Sequence, residues 1–173
     1  TMLLDIAAAR MAGMEGIVAG VLNPDGTVDE KRTAILVDAA APMNVTFHRA
    51  FDMAVDLPAA MESIIYAGCS RILTSGGQQT APLGLDMISR LVKSAGNRIT
   101  IMPGSGVNSE NIRHISEVTG AKEIHLSARS FIPGKMNYKK PDVTMGGTAT
   151  IPDYDVQLPN AQMISDIINL FKS

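Results

Sequence analysis

The stretch V-T-F-H-R-A-F-D, Val45 to Asp52, decides how this chain is read. Its first half is a β-strand by composition, yet a histidine, an arginine and an aspartate crowd its end. Strands in the middle of an α/β core are usually near-continuous apolar runs. Alternation separates Val45 and Phe47 from Thr46 and His48, because successive strand side chains point to opposite faces. The same alternation sets Ile99 and Ile101 against Thr100 and Met102, and Ile124 and Leu126 against His125 and Ser127.

Working outward, strands are predicted to begin at Gly16, Val45, Arg71, Ile99 and Glu123, spaced 24 to 29 residues apart. Helices are predicted between them, at Asp29 to Ala40, Leu57 to Ala67, Pro82 to Ala95 and Asn108 to Thr119. A helix from Met2 to Ala12 leads, an irregular Gly- and Pro-containing tail follows Ser127, and a last helix is expected from about Asn160 to Lys172. No hairpin signature joins successive units, so parallel strands with crossover helices follow.

An open doubly wound sheet would be apolar on both faces. A (β/α)8 barrel turns its apolar faces to the helices and can be polar near its C-terminal mouth. The recurring Thr/His/Ser face favours the barrel. The expected fold class is therefore α/β, a TIM barrel with about five of its strands here. On that reading three β/α units would precede Thr1. No low-complexity linker interrupts the chain, so residues 1–173 read as one domain.

Composition narrows the function classes. The 173 residues carry a formal net charge of -2, with 46% hydrophobic and only 4% aromatic residues. No basic excess points to nucleic acid or an acidic membrane surface. No apolar run approaches the ~20 residues of a membrane helix. Cys69 stands alone, which excludes an internal disulfide and suits a reducing compartment.

The chemistry-bearing residues gather at predicted strand ends. His48 offers proton exchange near neutral pH. Arg49 offers a fork for carboxylate or phosphate. Asp52 would orient His48 or pair with Arg49, and a structural polar network at the barrel end is the competing reading. Thr74, Ser75, Gly76 and Gly77 leave the third predicted strand; Gly104, Ser105 and Gly106 leave the fourth. Small residues there let backbone N–H groups approach an anion, or simply make tight turns. His125, Ser127 and Arg129 alternate along the fifth. His114 reads as a solvated helix residue.

Several of these segments carry a resemblance. V-T-F-H-R-A-F-D, R-I-L-T-S-G-G, M-P-G-S-G-V and I-H-L-S-A-R resemble the signatures of the CutC family, the proteins named for copper homeostasis. Gly20 to Asp29, Met136 to Tyr138 and Met145-Gly146 resemble it too, in the expected order. The resemblance implies a (β/α)8 barrel, a cytoplasmic setting and a dimer or larger homo-oligomer. This chain would match the C-terminal two-thirds of it.

Copper is implied by that resemblance and not by the residues. Cu(I) prefers thiolate and thioether ligands. Cys69 falls at the opposite end of the predicted barrel from the histidines, and the 11 methionines are scattered. No metal ligands are assigned from sequence. Three readings stay open: copper binding or trafficking, an enzyme acting on a small anionic or phosphorylated metabolite, and a non-catalytic fragment. In the second, His48 would be the acid/base, with Asp52 beside it. Arg49 and the glycine loops would hold the anion.

Overall fold

In the computed structural model, residues 1–141, 143 and 153–171 are described. Met145, Gly146 and Lys172, which the sequence reading used, lie outside them. Two compact units divide the span read as one domain, Thr1–Leu126 and Ser127–Ser173.

The first unit runs α1 (Met2–Met11), β1 (Gly16–Ala19), α2 (Glu30–Ala40), β2 (Asn44–Phe47), α3 (Leu57–Tyr66), β3 (Arg71–Thr74), α4 (Leu85–Ala95), β4 (Thr100–Pro103) and α5 (Ile112–Thr119). The four strands form one parallel sheet in chain order. Register places Val18 opposite Thr46, Thr46 opposite Arg71, and Arg71 opposite Thr100. The predicted alternation organises packing. Ala19, Val45, Phe47, Ile72 and Ile101 join Leu36, Ala40, Met61, Ile64, Ile88 and Leu91 of the helices in one buried cluster. The row Val18, Thr46, Arg71 and Thr100 lies on the other face, where Val18 is 64% exposed.

Local chemistry sets the boundaries. Asp29 and Asp56 cap α2 and α3, each accepting a backbone N–H at 2.9 Å. Such caps satisfy donors that a helix start leaves orphaned. Two predicted helices are shortened. Gly84 splits the one expected from Pro82, leaving a 3-10 turn at Ala81–Leu83 before α4. Asn108 caps a turn rather than a helix, its Oδ1 accepting from the backbone of Glu110 and Asn111, so α5 starts later.

The fifth predicted strand is corrected. Glu123 to Ser127 form no strand. One backbone bond, from His125 N–H to Pro103 O at 2.8 Å, continues past β4. Period-two patterning says which face a residue would take if extended; it does not supply a ladder partner. Glu123 instead holds Arg71 in a two-pronged pair at 2.5 and 3.0 Å.

The second unit corrects the reading of the tail as irregular. Its strands β5 (Arg129–Pro133) and β6 (Asp155–Pro159) pair antiparallel. The two strands are far apart in sequence, so no tight-turn dipeptide announced them. Asn160 caps α6 (Ala161–Leu170), accepting from Met163 N–H at 3.0 Å.

Candidate functional site at the C-terminal strand ends

Asp52 is the centre of the site. It sits in a 3-10 helix, Arg49–Met53, that leaves β2. Its side chain is only 5% exposed, so its lone pairs need protein donors. Oδ1 accepts from Thr74 Oγ1 at 2.5 Å and from the N–H groups of Ser75 and Gly77 at 3.0 Å each. Oδ2 accepts from Arg49 Nε at 2.8 Å. Burial by itself would raise the Asp52 pKa. The bonds from Thr74, Gly77, Arg49 and Ser75 together outweigh it and hold the carboxyl below its ordinary value.

Arg49 spans the loops after β2 and β3. Beyond Asp52, its Nη2 donates to Ser75 Oγ at 2.7 Å and to Gln78 O at 3.2 Å. The Ser75 hydroxyl also lies within bonding distance of the Gln78 carbonyl. Nη1 has no hydrogen-bond partner among the described residues, and the side chain is 39% exposed. Thr74 and Ser75 are fully buried. Thr74 Oγ1 also accepts Gly76 N–H at 2.8 Å, fixing the start of the loop.

Gly76 has a φ of 71°, and a Cβ there would meet Gly84 O at 2.6 Å. A side chain is excluded on both counts. Ser105, with a φ of 80°, adopts the same left-handed region without being glycine. It is held by its own bonds: Oγ donates to Gln79 O at 3.0 Å, and its carbonyl accepts Ala81 N–H at 2.9 Å. Gly104 N–H bonds Thr74 O at 2.9 Å, and Gly106 stands against Thr80. The loops after β3 and β4 are thus clasped together. Strain of this kind gathers at ligand and active sites.

His48 ends β2, half-buried, with Nδ1 accepting Ala50 N–H at 3.2 Å. His125 is exposed and lies over Gly104, where a Cβ would come within 3.3 Å of its own. The structure therefore gathers Arg49, Asp52, Thr74, Ser75 and Gly76 in one network, and joins Gly104 and Ser105 to its loops. Ser127 and Arg129 belong to the second unit, where Arg129 Nη1 donates to Gln157 Oε1 at 3.4 Å. His114 is exposed on α5.

Sequence reading missed Gly20, Gln78 and Gly84. A glycine inside a strand pattern marks close backbone approach, so Gly20 had a signal. Gly84 had one as a breaker inside a helical pattern. Gln78 acts through its carbonyl, which any residue would supply.

At the opposite end of the strands a cleft of about 400 Å³ opens, lined in part by Ser70, Arg98, Thr100, Lys122 and Glu123. Arg98 is engaged by Glu62 at 2.6 and 2.8 Å, and Glu123 by Arg71. Arg98 and Glu123 there serve as members of structural pairs.

Parallel strands in chain order, one helix-covered face and polar groups gathered at the C-terminal strand ends define an α/β protein. The CutC family profile matches residues 1–130, and the chain belongs to that family. It is 44% identical over its whole length to a CutC family protein of Bacteroides thetaiotaomicron, covering 70% of that protein. It is 41% identical, again over its whole length, to one of Mesorhizobium japonicum, covering 67%. A solved CutC of Streptococcus agalactiae, named for copper homeostasis, superposes with a TM-score of 0.67 at 31% identity. That likeness covers 71% of this chain and 60% of the solved one. No described helix is long and apolar enough to cross a membrane.

Copper, which the family name implies, can be tested against the donors present. Among the described residues no three His, Cys, Asp or Glu side chains group to hold a metal. Cys69 is 5% exposed, and burial pushes its thiol up to about 11. The thiolate is the metal-binding form. Cys69 precedes β3 whereas the site follows it, five residues on, or about 16 Å along an extended strand. These residues do not fit a copper centre.

Proposed function

We propose that this chain is the major part of a CutC-type (β/α)8 barrel that works in copper homeostasis in the cytoplasm, as a dimer or larger assembly. The observation that carries this is the likeness to the Streptococcus agalactiae protein, in sequence and in fold together. The one-sided cover of the sheet supports the barrel: a barrel wall has helices outside and a strand face turned inward. Exposed Leu4 and Met11 on α1 support assembly. The working end is the polar cluster after β2, β3 and β4, with a small anionic molecule as its ligand. Its part in copper handling is not coordination of the ion by Cys69 and the histidines together, because buried Cys69 precedes β3 whereas His48 follows β2.

The test is copper tolerance. A bacterium deleted for its own CutC gene should regain copper tolerance when it expresses this protein. Unchanged growth and cell copper content across deletion and complementation would end the proposal.

A further inference from the structure

His48 is held from two sides. Its N–H bonds Ala19 O at 3.0 Å, which keeps β2 in register with β1 up to that residue. Its ring stands edge-on to the ring of Phe47, with centroids 6.0 Å apart. Nδ1 caps the following 3-10 helix by accepting Ala50 N–H. Gly20 backs the same edge of the ring: a Cβ there would stand 2.8 Å from Nδ1 and 2.9 Å from Cε1. The ring can lie where it does only because residue 20 has no side chain. Nε2 has no hydrogen-bond partner among the described residues.

A ring nitrogen that accepts a hydrogen bond carries the lone pair, and in neutral imidazole the other nitrogen then carries the proton. Nε2 is therefore an N–H donor. A histidine that binds metal through Nε2 needs the opposite tautomer, with Nδ1–H given to a carboxylate or carbonyl. Here Nδ1 faces a donor, the Ala50 N–H, and nothing in its place can accept. Coordination through Nε2 would set two N–H groups against each other, and coordination through Nδ1 would displace the cap and meet Gly20.

We infer that His48 is a fixed-tautomer donor that presents Nε2–H to an oxygen of a small carboxylate- or phosphate-bearing ligand, with Gly20 and the Ala50 N–H as its positioning groups, and that it is not a copper ligand. This rests on the strand-end cluster being the working end, as proposed above. The adjacent Arg49, with Nη1 unengaged among the described residues, supplies the matching charge.

The test is long-range nitrogen–proton NMR on the full protein labelled at histidine nitrogens, which reads the proton's position on the ring. Slightly above neutral pH, His48 should carry its proton on Nε2. Inorganic phosphate should shift the Nε2 signal saturably, and one equivalent of Cu(I) should leave both ring signals in place. His48→Gln keeps an N–H near the Nε2 position and should retain phosphate binding. His48→Asn keeps only the end facing Ala50 and should lose about tenfold or more, the worth of one hydrogen bond to a charged group. Gly20→Ala, checked for folding by circular dichroism, should shift the ring and weaken phosphate likewise. A proton on Nδ1, a Cu(I)-induced change at Nε2, or a ring signal unmoved by phosphate would each overturn the assignment. Copper tolerance reads the functional proposal separately: its failure leaves the tautomer result standing.

Discussion

Replacing Asp52 with asparagine keeps the shape of the side chain and removes its charge. The amide oxygen can take the place of Oδ1, keeping Thr74, Ser75 and Gly77 as donors. The amide NH2 then takes the place of Oδ2 and points at Arg49 Nε and at the Ser75 N–H, donor against donor. The Arg49 bond, charge-assisted and worth about 1.5–3 kcal/mol, is lost. The three retained bonds fall from charge-assisted to neutral, roughly half as strong. Arg49 is 39% exposed, so water partly repays its loss and the low end of the range applies. The sum is about 4 kcal/mol, or about 8–16 °C in Tm for a chain of this size. Urea unfolding should show the midpoint falling with an unchanged slope. The pH dependence has a definite sign. Asp52 is held below its ordinary value of 3.8, so its contribution is complete above that value and is lost as pH falls through the folded one. The stability gap between parent and Asp52→Asn should therefore close in acid. A variant within 1 kcal/mol of the parent, or a gap that stays constant below pH ~3, would refute the view that this carboxylate locks the loops together.

Three further outcomes follow from the same geometry. Gly84→Ala places a Cβ 2.0 Å from the Ser75 carbonyl oxygen, a clash with backbone, and should cost about 3 kcal/mol or more while disturbing the Arg49 bonds to Ser75; a Tm unchanged from the parent would contradict it. Cys69 should react with a thiol reagent at neutral pH orders of magnitude more slowly in the folded protein than in denaturant, and Cys69→Ser should leave Cu(I) competition against a chelator unaltered; a tight one-to-one site abolished by that change would reverse the copper argument. Sedimentation of the 173-residue chain should show self-association through its exposed apolar groups, and a compact, cooperatively melting monomer would oppose it.

The sequence by itself determined the parallel α/β arrangement and the faces of its strands. Val45 and Phe47 are buried with the helices, and Thr46 lies in a row with Arg71, as period two requires. It also determined that chemistry gathers after the strands, because His48, Arg49, Thr74, Ser75 and Gly104 all sit where an apolar run stops. Resemblance in four short motifs carried the family. What only the tertiary structure decided is which groups satisfy one another. Arg49 and Asp52 are three residues apart, but their partners Thr74, Ser75, Gly77 and Gln78 come from a loop more than twenty residues on, brought close by the pairing of β2 with β3. The tautomer of His48 depends on a backbone N–H and on the glycine that follows β1. The fate of Glu123 to Ser127 depends on a neighbouring ladder that their own pattern does not contain. Periodicity is a property of one segment, whereas hydrogen-bond satisfaction in a buried site is a property of several segments at once.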